Sequence, residues 1–330
     1  MTGPRAAPGR LRVLAGRLAW FAISMLVASV IVFALLNLLP GDLAGVILGP
    51  NATPASIEAM RAELGLDRHV ALRYVDWLAS LVSGTMGVSA LTGEAVGPVV
   101  AQKFGVTFTL VVSGISIALA MALPLGIYSA LRRHQADGVL VSGVSQLGMA
   151  VPVFVVGIGL SMLLGVRLRW LPANGYVSAG TSLRDWFAHL ILPALTLGLV
   201  QSAVLVRYVR SAFIDVLHQD YFRTARAIGW RRWPALLRHG LRNAALQIVT
   251  VLGLQFATLF VGAIVVESVF VLPGLGQYLL QMVASRDLPV VQSIVMVLVA
   301  LVLVINLLVD LSYAVIDPRL RGGEEGQDES

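Results

Sequence analysis

The stretch DYFRTARAIGWRRWPALLRHGLRN, Asp220–Asn243, is the one strongly basic, helix-patterned segment lying between long apolar ones, and the rest of the chain reads outward from it. Asp220 is a good N-cap for a short helix over Tyr221–Ile228, and Gly229 supplies the left-handed residue that ends it. Tyr221, Ala225 and Ile228 fall at i, i+4 and i+7 on one face, while Arg223 and Arg226 point elsewhere. A helix of about eight residues is marginal alone in water, so it needs something to dock against. Pro234 suits the first turn of a second helix running through Leu236, Leu237 and Leu241 toward the next apolar segment. The local expectation is helix, glycine turn, helix.

Composition sets the solvent. Of 330 residues 57% are hydrophobic and 13% charged, about half the charged share of a soluble domain. The chain is expected to be an all-α membrane protein. The net charge of +6 comes from arginines beside apolar runs, with few aromatics, which reads as membrane topology rather than nucleic-acid binding. There is no cysteine, which excludes disulfide and thiolate chemistry. The only lysine, Lys103, follows Gln102, so no GxxxxGK[ST] phosphate loop exists in the chain, and any ATP chemistry must come from elsewhere.

Six stretches free of Asp, Glu, Lys and Arg are long enough to cross a bilayer: 18–41, 104–131, 138–166, 186–206, 243–266 and 288–309. A charge at a helix centre costs at least about 2.5–3.5 kcal/mol, so the confinement of charge to the gaps argues for these six transmembrane helices. With a cytoplasmic N-terminus, 16 of the 24 basic residues fall on the inside and 8 on the outside, four of the latter in a first outer loop too long to weigh in the rule. Both termini are then cytoplasmic, and so is Asp220–Asn243. The first apolar run exceeds a signal-peptide core and ends in Pro40, Gly41 and Asp42 without a small-residue cleavage site, so it is expected to be retained.

In the outer loop, Thr53 and Pro54 start a helix carrying Ile57, Met60 and Leu64 and stopping at Gly65. A second helix carries Val70, Tyr74, Trp77, Leu78 and Leu81 and ends near Gly84. These helices suit either a packed lid or a docking surface for an external partner. Small residues form stripes at helical spacing: Gly114, Ala118, Ala122 and Gly126; Gly157, Ser161 and Gly165; Gly253 and Ala257. Such stripes mark close helix contacts. Pro124, Pro152 and Pro193 are expected to kink their spans. Among the polar residues inside spans are the amides Gln146, Gln201, Gln255 and Asn306. They suit the lining of a polar path, with Gln146, Gln201 and Gln255 as candidates, and equally suit bonds between helices. Ion-driven carriers usually need an intramembrane ionisable residue or an unwound ion site, and no Asp, Glu, Lys or Arg lies within these spans. No HExxH motif, metal-ligand cluster or nucleophile constellation is present, and His239 reads as a polar helix residue.

The segment from Asp220 resembles the EAA loop of membrane subunits in binding-protein-dependent ABC importers, in the form used by the dipeptide, oligopeptide and nickel subfamily. Its pattern there is YxRTARAKG followed by LRNA; Tyr221, Arg223, Thr224, Ala225, Arg226, Ala227 and Gly229 match it, and Leu241, Arg242, Asn243 and Ala244 continue it. Ile228 stands where that subfamily commonly has Lys. LLPGD at Leu38–Asp42, LGLD at Leu64–Asp67, ESVFVLPGLGQ at Glu267–Gln277, Arg286 with Asp287, Asn306, Asp310 and DPRLR at Asp317–Arg321 also look like that subfamily's landmarks, in order along the chain.

The resemblance implies a type I ABC importer permease of the MetI-like fold, with an N-terminal extra helix and an extracytoplasmic helical loop in 1–103, the core in 104–320 and a cytoplasmic tail in 321–330. It implies a bacterial inner-membrane protein with no catalytic residues and no cofactor of its own, ATP and Mg being bound by partners. Those partners are a second homologous permease subunit, two cytoplasmic ATP-binding subunits and an extracytoplasmic substrate-binding protein, with membrane lipid around them. Asp220 through Gly229 is then the ATPase-coupling loop, against the alternative of a basic loop resting on anionic lipid. Glu267, Phe270, Pro273, Gly274 and Gly276 are expected in an outer loop or gate, or in a mere re-entrant cap. Di- or oligopeptides are the expected substrates, with nickel chelates, glutathione or sugars as alternatives within the family. An ATP-independent channel or carrier is the competing class.

Overall fold

The computed structural model describes residues 10–38, 43–49, 52–63 and 65–316. The terminal DPRLR motif, the tail, and parts of the LLPGD and LGLD motifs lie outside the described residues. Along the chain the elements are α1 (Arg10–Asn37), α2 (Leu43–Leu48), α3 (Pro54–Glu63), α4 (Val70–Val82), α5 (Val96–Leu131), α6 (Ala136–Ala150), α7 (Val153–Leu160), α8 (Leu183–His218), α9 (Asp220–Ala227), α10 (Arg232–Ala235), α11 (Leu241–Phe270), α12 (Leu275–Ala284) and α13 (Leu288–Ile316). Two π-helical segments, Ser161–Arg167 and Leu236–Gly240, continue α7 and join α10 to α11. Apart from a single bridge between Val88 and Ala95, every regular element among the described residues is helical.

Among the described residues five helices are long and apolar enough to cross a membrane, and a sixth span exists if the bent pair Ala136–Ala150 and Val153–Arg167 counts as one. The expected kink at Pro152 in the span over 138–166 is here a full break between two helices. The two halves meet at 99° at Val151 and Pro152. Proline lacks the N–H that would bond to the preceding turn and drives the residue before it out of the α region, and Val151 is extended, with φ −85° and ψ 122°. Pro124 and Pro193, in contrast, lie inside α5 and α8, which continue past them as single helices.

The helices divide between two compact units. The first comprises, of the described residues, 10–13, 108–272 and 305–316. Its hub is α8, whose inner side buries Leu192, Leu197, Leu205, Val206, Val209 and Phe213. The small-residue stripe of α5 lies on this hub. A Cβ added to Gly114 would stand 2.9 Å from Leu197 Cδ2, and one at Gly126 would stand 2.6 Å from Val209 Cγ1 and 3.1 Å from the Val206 carbonyl. Gly198 answers from α8, where a Cβ would meet Ile117 at 2.7 Å and the Gly114 carbonyl at 3.0 Å. Absent side chains thus let two backbones approach closely, as the stripe predicts for helices that gain nothing from excluding lipid. The other stripes also pack: Gly157 faces Phe270 and Thr196, Gly165 faces Ala173, and Gly253 faces Val309.

The second unit comprises Leu14–Thr107 and Pro273–Val304. Here α4 lies along α1. Phe33 meets the Tyr74 ring edge-on at 5.3 Å and Trp77 at 5.7 Å, and the Ser29 and Tyr74 hydroxyls share a 2.8 Å hydrogen bond. The expected stops occur, with Gly65 at φ +65° after α3 and Gly84 at φ +78° after α4. The segment between α4 and α5 is held at a distance no local pattern announces. Ser89 Oγ donates to Asp287 Oδ2 at 2.5 Å, Ser293 Oγ donates to the Met86 carbonyl at 2.8 Å, and the Leu275 N–H donates to Thr107 Oγ1 at 2.7 Å. Beneath them Val96, Val100, Leu275, Val290 and Ile294 form one buried apolar cluster.

Candidate functional site

In α9 the cap is displaced by one residue from the sequence expectation. Gln219, extended at φ −72° and ψ 145°, is the N-cap, without a side-chain capping bond, and Asp220 is the first helical residue. There its carboxylate faces the positive end of the helix dipole and stands 3.7 Å from Arg223. Both side chains are exposed, so the pair contributes little. Thr224 Oγ1 donates back to the Asp220 carbonyl at 3.0 Å.

The far end closes as a Schellman turn. The Gly229 N–H donates to the Arg226 carbonyl at 3.1 Å and the Trp230 N–H to the Ala225 carbonyl at 3.2 Å, with Gly229 at φ +97°. The Arg226 guanidinium adds a 2.6 Å bond to the Trp230 carbonyl, and Arg238 sits over the Trp230 ring at 5.4 Å. Nothing lies within 4 Å of a Cβ built on Gly229, so glycine is required there by backbone conformation and not by space.

The buried face of α9 differs from the expected one. Phe222 and Ala225 are buried, whereas Tyr221 is 36% and Ile228 72% exposed. The helix touches the end of α8, α10 and the π segment Leu236–Gly240, and Gly240 approaches so closely that a Cβ there would be 2.7 Å from Val216 Cγ1. Phe222, which the sequence reading omitted, anchors α9 to this base. Its signal was its i, i+3 spacing to Ala225. Tyr221, Ile228, Arg223 and Arg226 are left outward, an apolar and cationic surface available to another chain.

From Arg232 the chain is helical without interruption to Phe270, through Pro234 in α10, the π segment and α11. A π insertion inside an α-helix lies frequently at a functional site. The base under α9 is therefore the start of a helix that crosses the apolar region.

The expected outer-loop residues separate. Glu267 and Phe270 belong to the last turn of α11 and are both buried, which corrects their placement in a loop. The carbonyl of Phe270 accepts from the Gly175 N–H at 2.9 Å. Val271 follows at φ +54°, an unusual conformation for a β-branched residue, and the Leu272 N–H closes the turn onto the Glu267 carbonyl at 2.9 Å. In the second unit Gly274 is the N-cap of α12, Pro273 precedes it, and Gly276 lies buried in its first turn. Among the amides, Gln146 is exposed on α6 and Gln255 half-buried on α11. Gln201 is buried on α8, and its Nε2 has no hydrogen-bond partner among the described residues. Among the described residues no group of three or more His, Asp or Glu is placed to hold a metal.

Family models place this architecture. The model described as binding-protein-dependent transport system inner membrane component matches residues 122–322, and the N-terminal model of the same membrane component matches residues 10–125. The chain belongs to this family. It is thus a multi-pass permease component of a binding-protein-dependent ABC importer. Among its relatives, a putative peptide permease protein of Brucella ovis is 39% identical over 302 residues, covering 90% of this chain and 95% of the relative. The glutathione transport system permease protein of Pectobacterium atrosepticum is 39% identical over 305 residues, covering 92% and 97%. A chain of the MetNI methionine ABC transporter in an inward-facing conformation matches with a TM-score of 0.56 at 18% identity, covering 66% of this chain and 96% of that one. The last likeness confirms the type I importer permease fold.

Proposed function

We propose that this permease forms half of an ATP-driven import pathway for peptides, with both termini cytoplasmic, and that α9 couples it to an ATP-binding subunit. The observation that carries the coupling role is the seating of α9. It is a two-turn helix closed by Gly229, with Phe222 and Ala225 fixed to the base of the Arg232–Phe270 run and Tyr221, Arg223, Arg226 and Ile228 presented outward. A push on its outer face acts on the base of α11, so a cytoplasmic closure is passed into a membrane-crossing helix. A second permease subunit, two ATP-binding subunits that hold ATP and Mg, and an extracytoplasmic binding protein complete the machine. The absence of any phosphate loop supports that division of labour. Peptide substrates rest on the names of the relatives, one a putative peptide permease and one a permease for glutathione, itself a small peptide. Glu267, Phe270, Pro273, Gly274 and Gly276 are proposed to shape the outer gate.

The test is reconstitution of the assembled importer in liposomes with its binding protein. ATP-dependent accumulation of labelled di- or oligopeptide is expected, and none from this chain alone. Movement of solute by the chain alone without ATP would favour a carrier instead. The same assay tests the pathway role of Gln201. A buried amide donor without a partner costs about 1–3 kcal/mol, so Gln201→Leu is expected to raise the unfolding temperature while cutting peptide uptake at least several-fold. A variant that loses stability and keeps full uptake would make Gln201 a helix-bonding residue.

A further inference from the structure

The second unit carries an open groove of about 640 Å³ between the end of α1 and the start of α4, walled by Val30, Ala34, Leu38, Val70, Ala71 and Tyr74. Its walls are apolar, yet its end is not. His69 and Asn37 close it, and the Arg73 guanidinium reaches Asn37 Oδ1 at 2.9 Å. His69 Nδ1 accepts the Ala71 N–H at 3.3 Å, which places the proton of a neutral ring on Nε2. The nearby Asp76 carboxylate is taken by Arg68 at 2.6 Å. The mouth thus offers an N–H donor and a cation at the end of an apolar trough.

The setting says what fills it. The candidate span of α1, Ala15–Asn37, has only 17% of its most apolar window buried within the chain, and Val30, Ile31, Leu35 and Leu38 remain exposed. The groove lies where that span ends, beside Tyr74 and Trp77, residue types that favour the boundary between hydrocarbon and headgroups. A molecule with a long apolar tail and an anionic head matches both the walls and the mouth. We propose that the groove is a binding site for one phospholipid, its acyl chain lying between α1 and α4 and its phosphate meeting Arg73 and His69. With cytoplasmic termini the lipid belongs to the outer leaflet. It would fasten the loop helix α4 to α1.

The test uses the intact, delipidated importer and native mass spectrometry during titration with phosphatidylglycerol or phosphatidylcholine. Wild-type complex is expected to hold one phosphatidylglycerol per copy of this chain beyond what Ala34→Trp or Ala71→Trp holds, each tryptophan filling the trough from one wall. Arg73→Gln should weaken phosphatidylglycerol about fivefold, as for one basic residue at a charged surface, and leave phosphatidylcholine unchanged. Water-soluble glycerophosphoglycerol should not displace the lipid. The proposal is overturned by equal lipid occupancy in wild type and either tryptophan variant, by an Arg73→Gln complex that binds phosphatidylglycerol as tightly as wild type, or by displacement with the headgroup alone. Retained binding-protein-stimulated ATPase activity shows that each variant is folded.

Discussion

Gly229→Val is expected to reduce peptide uptake at least tenfold while the protein still inserts into the membrane at normal levels. Gly229 holds φ +97°, donates one bond of the turn that ends α9, to the Arg226 carbonyl, and sets the direction in which the Trp230 N–H makes the other, to the Ala225 carbonyl. A β-branched residue in that conformation costs about 1–3 kcal/mol. A helix of two turns has no such reserve, because isolated helices shorter than about 12 residues are marginal. The variant therefore gives up the Schellman turn, and with it the fixed angle between α9 and the helix that begins at Arg232. Since a Cβ on Gly229 meets nothing within 4 Å, sterics do not enter, and Gly229→Asn, which tolerates the left-handed region, should keep most of the uptake. Equal uptake by the Val variant at equal expression would show that the turn does not transmit force.

Ala225→Asp should abolish binding-protein-dependent uptake altogether. The sequence pattern places Ala225 on a face awaiting a partner chain, whereas the structure buries it beside Phe222 against this chain's own base. An unpaired carboxylate there loses its hydration without gaining a counter-charge, an effective penalty of several kcal/mol. That exceeds what a short helix can supply, so α9 is released from α8 and the π segment. Limited trypsin digestion reads this directly, since Arg223 and Arg226 become cleavable in membranes carrying Ala225→Asp. The exposed Ile228→Asp should leave the digestion pattern unchanged and still lower uptake, because it alters the outward surface alone. Protection of both arginines in Ala225→Asp would contradict the seating.

What the sequence could disclose was set by the range of each interaction. Spans were legible because charge is so costly in hydrocarbon that it must sit at the ends, and Gly229 was legible because a left-handed turn nearly names its residue. The 99° break at Pro152 was read only as a kink, because Pro124 and Pro193 carry the same local signal and are absorbed inside continuous helices. The face of α9 could not be chosen from its own residues. Tyr221, Phe222, Ala225 and Ile228 give two overlapping apolar stripes, and the position of the base selects the one through Phe222. Glu267 was assigned to a loop because a carboxylate normally stays out of an apolar helix, yet it lies buried in the last turn of α11. The bond from Ser89 to Asp287 spans 198 positions and leaves no periodic trace.

The coupling role of α9 is tested most directly by disulfide trapping, for which a chain without cysteine is already suited. Ile228→Cys, on the outward face, is paired with single cysteines placed around the membrane-facing cleft of the ATP-binding subunit in the assembled importer. The account predicts a cross-linked species between the two subunits whose yield changes between the nucleotide-free and ATP-bound states, and uptake that is lost on oxidation and restored on reduction. An Ile228→Cys that forms no cross-link to the ATP-binding subunit in either state, and is labelled instead by lipid-soluble maleimide, would place α9 on the membrane surface and contradict it.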